Sequence, residues 1–152
     1  QISRVALDGS ENRFELPYPL RNQPLNFSFS GLKTNIKYLI EDLGGLKKMS
    51  EKDIADVAAS FQNAINHNLV DKTVKAAEKY EAKEVHLVGG VSANKDLRSK
   101  FSSQLGSNIQ FRYPLDYGYC TDTAAMIAGA ARFISEDKWL NPGEVIDPRL
   151  DW

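Results

Sequence analysis

The tetrapeptide SEKD at residues 50–53 opens the longest regular element that this chain can form. A Ser at a helix cap accepts from the backbone amide three residues on, and an acidic or amide side chain at that third position reaches back to the amide of the cap. Asp53 stands where Glu or Gln is more usual. After it Ile54, Val57, Phe61, Ile65 and Leu69 recur at steps of three and four, and Val70, Val74 and Ala77 continue the repeat on a shifted face. The spacing predicts one helix from 51 to about 80, roughly 45 Å long at the α-helical rise.

Around that helix the other segments read in order. The opening QISRVALDGS has no initiator Met and no basic-then-apolar leader pattern, and reads as the middle of a helix followed by a turn, which makes the chain look like a fragment. Residues 9–26 hold Pro17, Pro19 and Pro24 and read as an extended connector. Phe27 and Phe29 alternate in NFSFSG and suit a strand-like entry to a helix from about 31 to 43, which Gly44 and Gly45 stop. KEVHLVGG, residues 83–90, is a short β-branched run ended by paired glycines. ANKDLRSKFSSQL follows as a helix with Ser92 as its cap, and NIQFRYP is a second strand over about 108–113. A last helix is expected from Asp122 to about Ser135, rich in Ala and Gly, and 141–152 reads as an irregular tail. Helix, strand, helix, strand, helix is an α/β order with crossover connections and a short parallel sheet.

Length and composition bound the function without naming it. A chain of 152 residues is one domain by length and can bury a core. The formal net charge of -1 argues neither for nucleic acid nor for an anionic membrane as a bulk partner. Lys33 with Lys37, and Lys95 with Arg98, nevertheless share helix faces that could meet phosphates. The single cysteine, Cys120, excludes an intrachain disulfide framework and fits a reducing compartment. No run of about 18 apolar residues is present to span a membrane.

Two junctions could carry chemistry. In VGGVSAN, residues 88–94, a strand runs out through Gly89 and Gly90 into a helix start, where a ligand can approach bare backbone and exposed amides favour phosphate. The third glycine of a dinucleotide fingerprint is absent, so a simple tight turn is the competing reading. Asn94 adds a side-chain amide that donates and accepts, suited to a ribose or a base edge. The second junction is YCTD, residues 119–122. Asp122 there reads either as a cap that complements the helix dipole or as a ligand or catalytic carboxylate. Both junctions follow parallel strands at their carboxyl ends, so they should open on one edge of the sheet and frame one cleft. Cys120 has no His near it in sequence and reads as a buried small hydrophobe. His67 and His86 fall within a helix and a strand, and do not complete a metal site with Asp122.

Taken together, FSFSGLKT (27–34), GGVSANKDLR (89–98) and YCTDTAAMIAGAA (119–131) resemble, in this order and spacing, the carboxyl-terminal half of the TsaD family, tRNA threonylcarbamoyladenosine transferases once called glycoproteases. The resemblance runs from about residue 10 to about 135. It implies an actin-like, sugar-kinase-like ATPase fold of two ribonuclease H-like lobes, of which residues 1–152 would be the carboxyl-terminal one, with the nucleotide- and metal-binding part in 27–135. It implies transfer of threonylcarbamoyl from threonylcarbamoyl-AMP to the adenosine beside the anticodon of tRNAs that read codons beginning with A. It places Asn94 at the nucleotide, with Gly89, Gly90 and Ser92 lining the same site, and makes Asp122 a ligand of one divalent metal ion, iron or zinc. No catalytic residue is assigned. The partners implied are tRNA, the missing amino-terminal half and other proteins of the same machinery, in the cytoplasm or, for an organellar relative, the mitochondrion.

The departures from the pattern are definite. The family's HxxxH metal motif and its phosphate-contacting Ser-Gly-Gly loop do not occur in these 152 residues, and Thr123 and Ala124 stand where Asn-Gly is common. The fragment alone is therefore expected to be inactive. A non-catalytic interaction module of the same fold, in a tRNA-modification complex, is the alternative. A small-metabolite kinase of the same superfamily is a third reading, against which the CTD motif argues.

Overall fold

The computed structural model describes residues 1–121 and 124–133. Its elements are α1 (Ile2–Val5) with a 3-10 turn at Ala6–Asp8, α2 (Ser30–Asp42), α3 (Glu51–Lys79), β1 (Glu84–His86), a 3-10 turn at Gly90–Ala93, α4 (Lys95–Gln104), β2 (Gln110–Arg112), a 3-10 turn at Tyr117–Tyr119 and α5 (Ala124–Ala131). This is a helix-rich α/β arrangement in which β1 and β2 form a parallel two-stranded sheet, Val85 opposite Phe111. The ladder reaches slightly beyond the two strands, because the Gln110 amide donates to the Lys83 carbonyl at 2.8 Å and the Leu87 amide to that of Arg112 at 2.9 Å.

The long helix begins where the capping box puts it. The Asp53 amide donates to Ser50 Oγ and the Ser50 amide to Asp53 Oδ2, each at 3.1 Å, so two otherwise unpaired donors are satisfied reciprocally. The glycine stop after α2 is equally local. Gly44 takes φ 86°, where a side chain would be strained, and its amide and that of Gly45 close back on the Glu41 and Ile40 carbonyls. The strand-like entry expected at Phe27 and Phe29 is not a strand; the two rings stack with centroids 6.4 Å apart, and the chain turns directly into α2. The predicted final helix is found as Ala124–Ala131, while Asp122 and the expected tail at 141–152 lie outside the described residues.

The core lies between α3, α4 and the sheet. Val70, Leu97 and Phe101 are buried together, with Leu69, Val74, Leu87, Leu105 and Phe111 packed against them. Leu97 and Phe101 stand four apart on α4, and Val70 and Val74 four apart on α3, so each helix presents one stripe. Burial of Val70, Leu97 and Phe101 contributes about 1.5–3 kcal/mol each. It also fixes the first turn of α4, and hence the Gly89–Gly90 junction, against α3.

Residues 9–29 contain no helix or strand, in accord with a connector. Their path is set by polar side chains of α3, taken in order along it. The Ser10 amide donates to Asp56 Oδ1 at 2.7 Å, the Phe14 amide to Ser60 Oγ at 3.2 Å, and the Tyr18 hydroxyl to Asp71 Oδ2 at 2.5 Å. Lys72 then gathers the carbonyls of Pro19, Leu20, Gln23 and Asn26. The connector thus runs beside α3 in the same direction, from Asp56 to Lys72, sixteen helical steps or about 24 Å. Asp56 is buried, and its carboxyl is held below the usual range by the Lys52 ammonium and the Ser10 amide.

The Tyr18–Asp71 contact makes a pH-dependent clamp. Partial burial, and then the neighbouring carboxylate, push the Tyr18 hydroxyl from 10.0 up to about 12. A group whose pKa is raised on folding contributes stability that is complete below its unfolded value and is lost as pH rises through the folded one. Stability should therefore fall between pH 10.0 and about 12. In a tyrosinate absorbance titration one of the six tyrosines should ionise late, and Tyr18→Phe should remove that component. Six tyrosines ionising together near their ordinary value would contradict the clamp.

Candidate functional site: two strand-to-helix junctions

The first junction leaves the carboxyl end of β1. Gly89 adopts φ 80° and ψ 177°, a conformation open essentially to glycine alone. A Cβ built on Gly89 or Gly90 would meet nothing within 4 Å, so the bare backbone faces open space and not a packed neighbour. The chain then makes the 3-10 turn Gly90–Ala93, closed by the Ser92 amide on the Gly89 carbonyl at 2.9 Å and the Asn94 amide on the Val91 carbonyl at 3.0 Å.

That turn moves the cap of the next helix. Ser92, expected to cap α4, lies two residues too early; it is fully buried within the 3-10 turn, and its Oγ has no hydrogen-bond partner. Asn94 is the cap, its Oδ1 accepting from the Leu97 amide at 3.0 Å. Its Nδ2 donates to Gln62 Oε1 of α3 at 3.0 Å and to Ser3 Oγ of α1 at 3.3 Å. Gly90, Asn94, Gln62, Ser3, Arg4 and Tyr117 line one open cleft of about 610 Å³. That volume lies within the range of about 300–1,000 Å³ usual for small-molecule sites.

The second junction follows β2. Asp116 Oδ1 accepts from the Gly118 amide at 2.7 Å and starts the Tyr117–Tyr119 turn, which delivers Cys120 into a buried position. The two junctions meet through Arg98. Its Nε donates to the Ser92 carbonyl at 2.5 Å, its Nη2 to Cys120 Sγ at 3.4 Å, and its guanidinium lies 4.4 Å from the centroid of the Tyr113 ring. Arg98, expected to share a phosphate-facing surface with Lys95, is therefore turned inward as a brace, while Lys95 remains exposed. Lys33 and Lys37 are exposed on α2, with Lys37 3.8 Å from Glu41.

The parallel pairing puts both junctions at the carboxyl ends of their strands, as expected, and Arg98 brings Gly89, Gly90, Ser92 and Asn94 to the YCTD turn as far as Thr121. Asp122 itself lies outside the described residues. His67 is edge-on to Tyr18 at 5.5 Å, and His86 Nε2 contacts Glu84 Oε2 at 2.7 Å, so neither approaches the junctions. Among the described residues no group of three or more His, Cys, Asp or Glu side chains stands together to hold a metal, and this part of the site does not fit one by itself. The open glycine backbone, the α4 start and the adjoining cleft do fit a phosphorylated ligand. Gln62 and Ser3 are the participants that the sequence did not mark, since they lie 32 and 91 residues from Asn94 and no local spacing signals them.

The sequence model of the family described as TsaD, tRNA N6-adenosine threonylcarbamoyltransferase, matches residues 1–129. Curated relatives bearing that same description include one from a Sulfurovum species, 41% identical over 146 residues that make up 95% of this chain and 43% of the relative. Another, from a Nitratiruptor species, is 40% identical over 134 residues, 86% of this chain and 39% of the relative. A third, from Caldicellulosiruptor saccharolyticus, is 41% identical over 134 residues, 87% and 38% respectively. The chain thus spans about two-fifths of the length of the relatives it matches. With a family match over most of its residues, three ordered motifs and two junctions braced into one site, this chain belongs to the TsaD family.

Proposed function

We propose that this chain is the carboxyl-terminal, nucleotide-facing part of a tRNA N6-adenosine threonylcarbamoyltransferase with the two-lobed, actin-like ATPase fold. The intact protein moves threonylcarbamoyl from threonylcarbamoyl-AMP to the adenosine beside the anticodon of tRNAs that read codons beginning with A, and AMP leaves. It works in the cytoplasm, or in the mitochondrion for an organellar copy, beside other proteins of the same machinery. Among the described residues no helix is long and apolar enough to cross a membrane. The observation that carries the reading is the Gly89–Gly90 junction, a bare backbone at the carboxyl end of a parallel strand, in a chain matched by this family over 1–129.

In this reading the chain's own contribution is binding and orientation. Backbone at Gly89 and Gly90 holds the adenylate beside the capped start of α4, and fixing it beside the acceptor amine lowers the entropic part of the barrier. Asp122 is the position that the family resemblance assigns to a metal, and the rest of the transferase supplies the opposite wall of the cleft. The isolated chain therefore binds nucleotide and does not catalyse transfer.

Gly90→Val isolates the claim, because a Cβ there meets no protein atom within 4 Å and Gly90 needs no positive φ. The variant should keep the melting behaviour of the parent chain while losing AMP binding in a calorimetric titration. AMP binding equal to that of the unaltered chain would remove the junction from the nucleotide site.

A further inference from the structure

An Asn side chain has two donor and two acceptor positions. In Asn94 both kinds are engaged within the protein: Oδ1 receives the Leu97 amide, and Nδ2 donates to Gln62 Oε1 and Ser3 Oγ. Its two donors face α3 and α1, while Oδ1, with one bond accepted, keeps a second acceptor position. What it fixes is the bend between the Gly90–Ala93 turn and α4.

Gln62 is the firmer of its two partners. It is partly buried and sits on α3, a helix of 29 residues, whereas Ser3 is exposed on the four-residue α1. One turn further along α3, Asn66 is buried and its Nδ2 donates to Asp96 Oδ2 at 2.8 Å. Residues four apart share a helix face, so one face of α3 grips the first turn of α4 at two points, Gln62 on Asn94 and Asn66 on Asp96. Lys100 braces the second point through Asp96 at 2.8 Å and Glu11 at 3.0 Å.

We infer that Gln62 is a positioning residue of the nucleotide site: it holds the Asn94 carboxamide in one orientation at the cleft and sets the place of the Gly89–Gly90 backbone. The inference rests on the nucleotide reading of the site and adds to it a residue on another element. Gln62→Met keeps the length of the side chain and removes the acceptor, whereas Gln62→Glu retains an acceptor for Asn94 Nδ2.

The test is AMP titration of the 152-residue chain followed through backbone and side-chain amide NMR resonances. Gln62→Met should move the Asn94 side-chain and Gly89–Gly90 amide resonances before any ligand is added, and weaken AMP binding about tenfold, the equivalent of one lost hydrogen bond. Gln62→Glu, which adds a negative charge to the cleft, should leave the Asn94 side-chain and Gly89–Gly90 amide resonances close to those of the unaltered chain, and both variants should keep the resonances of the β1–β2 pair in place. Gln62→Met with unmoved junction resonances, or with unchanged AMP affinity, overturns the positioning role and leaves the nucleotide reading standing. Failure of the unaltered chain to bind AMP overturns the nucleotide reading, seen without any variant, and the positioning role with it.

Discussion

Lys72→Met should lower the stability of the chain by about 3–5 kcal/mol, which for a domain of this size is a fall in melting temperature of roughly 10 °C. Lys72 is 1% exposed, on the interior side of α3. Its ammonium donates to the carbonyls of Pro19, Leu20, Gln23 and Asn26 at 2.5–3.2 Å and lies 5.4 Å from the centroid of the Tyr18 ring. Hydrogen bonds from a charged donor contribute about 1.5–3 kcal/mol each, and a buried carbonyl left without a partner costs about 1–3 kcal/mol. Methionine conserves the stem but removes the ammonium: the Leu20 and Gln23 carbonyls keep the amides of Gln23 and Asn26, whereas those of Pro19 and Asn26 lose their donor. Partial relaxation of the turn toward water keeps the total below the simple sum. Arginine should not restore stability, because a planar fork cannot serve four carbonyls gathered around one point. Chemical denaturation of the variants measures the loss, and limited proteolysis should find new cleavage within 19–26. A change below about 0.5 kcal/mol, the level of an ordinary surface substitution, would show that the carbonyls do not depend on the ammonium.

Gly9→Ala should be nearly as damaging, although alanine is the smallest side chain that can be added. A Cβ at Gly9 would lie 2.0 Å from the Ala55 carbonyl oxygen and 2.8 Å from the Ala59 Cβ. The backbone conformation is not the obstacle, since Gly9 has φ -102° and ψ 163°, extended values that any residue adopts. The obstacle is space. The turn after α1 packs directly on α3 at Ala55 and Ala59, and the contacted atom is backbone in the middle of a helix, which cannot swing aside. Overpacking of this kind costs about 1–3 kcal/mol and occasionally more, and a backbone clash belongs at the upper end. The turn should lift from α3, carrying the Ser10–Asp56 hydrogen bond with it, so amide exchange at Ser10 should accelerate along with the loss of stability. Unchanged stability would contradict a direct packing of this turn on the α3 backbone.

The features legible in the sequence were those with a local cause. Ser50 and Asp53 announce a helix start because a capping box needs only four residues, and Gly44 announces a stop because positive φ excludes most other side chains. The parallel order of β1 and β2 follows from a helix interposed between two short strand-like runs. Ser92 has the residue type of a cap, but the 3-10 turn at Gly90–Ala93 delays the helix by two residues and passes the cap to Asn94. Nothing local marks Lys72, Gln62 or Asp56 as buried or partly buried anchors, since the connector and α4 groups they hold lie between 32 and 53 residues away in sequence. A polar residue on a long helix looks solvated until a connector is known to run beside it. Of the proposed site, the Gly89–Gly90 backbone and Asn94 were visible from strand, turn and cap chemistry; the brace through Arg98 and the grip from α3 emerged only with the fold.

The most direct measurement places this chain in the corresponding region of the Sulfurovum relative, to which it is 41% identical, and follows transfer of labelled threonylcarbamoyl from threonylcarbamoyl-AMP to tRNA. The chimera should be active, and Gly90→Val within it should lower the rate by about 100-fold through misplacement of the adenylate, with folding unchanged. A folded chimera without activity, or one in which Gly90→Val transfers as fast as its parent, would contradict the account.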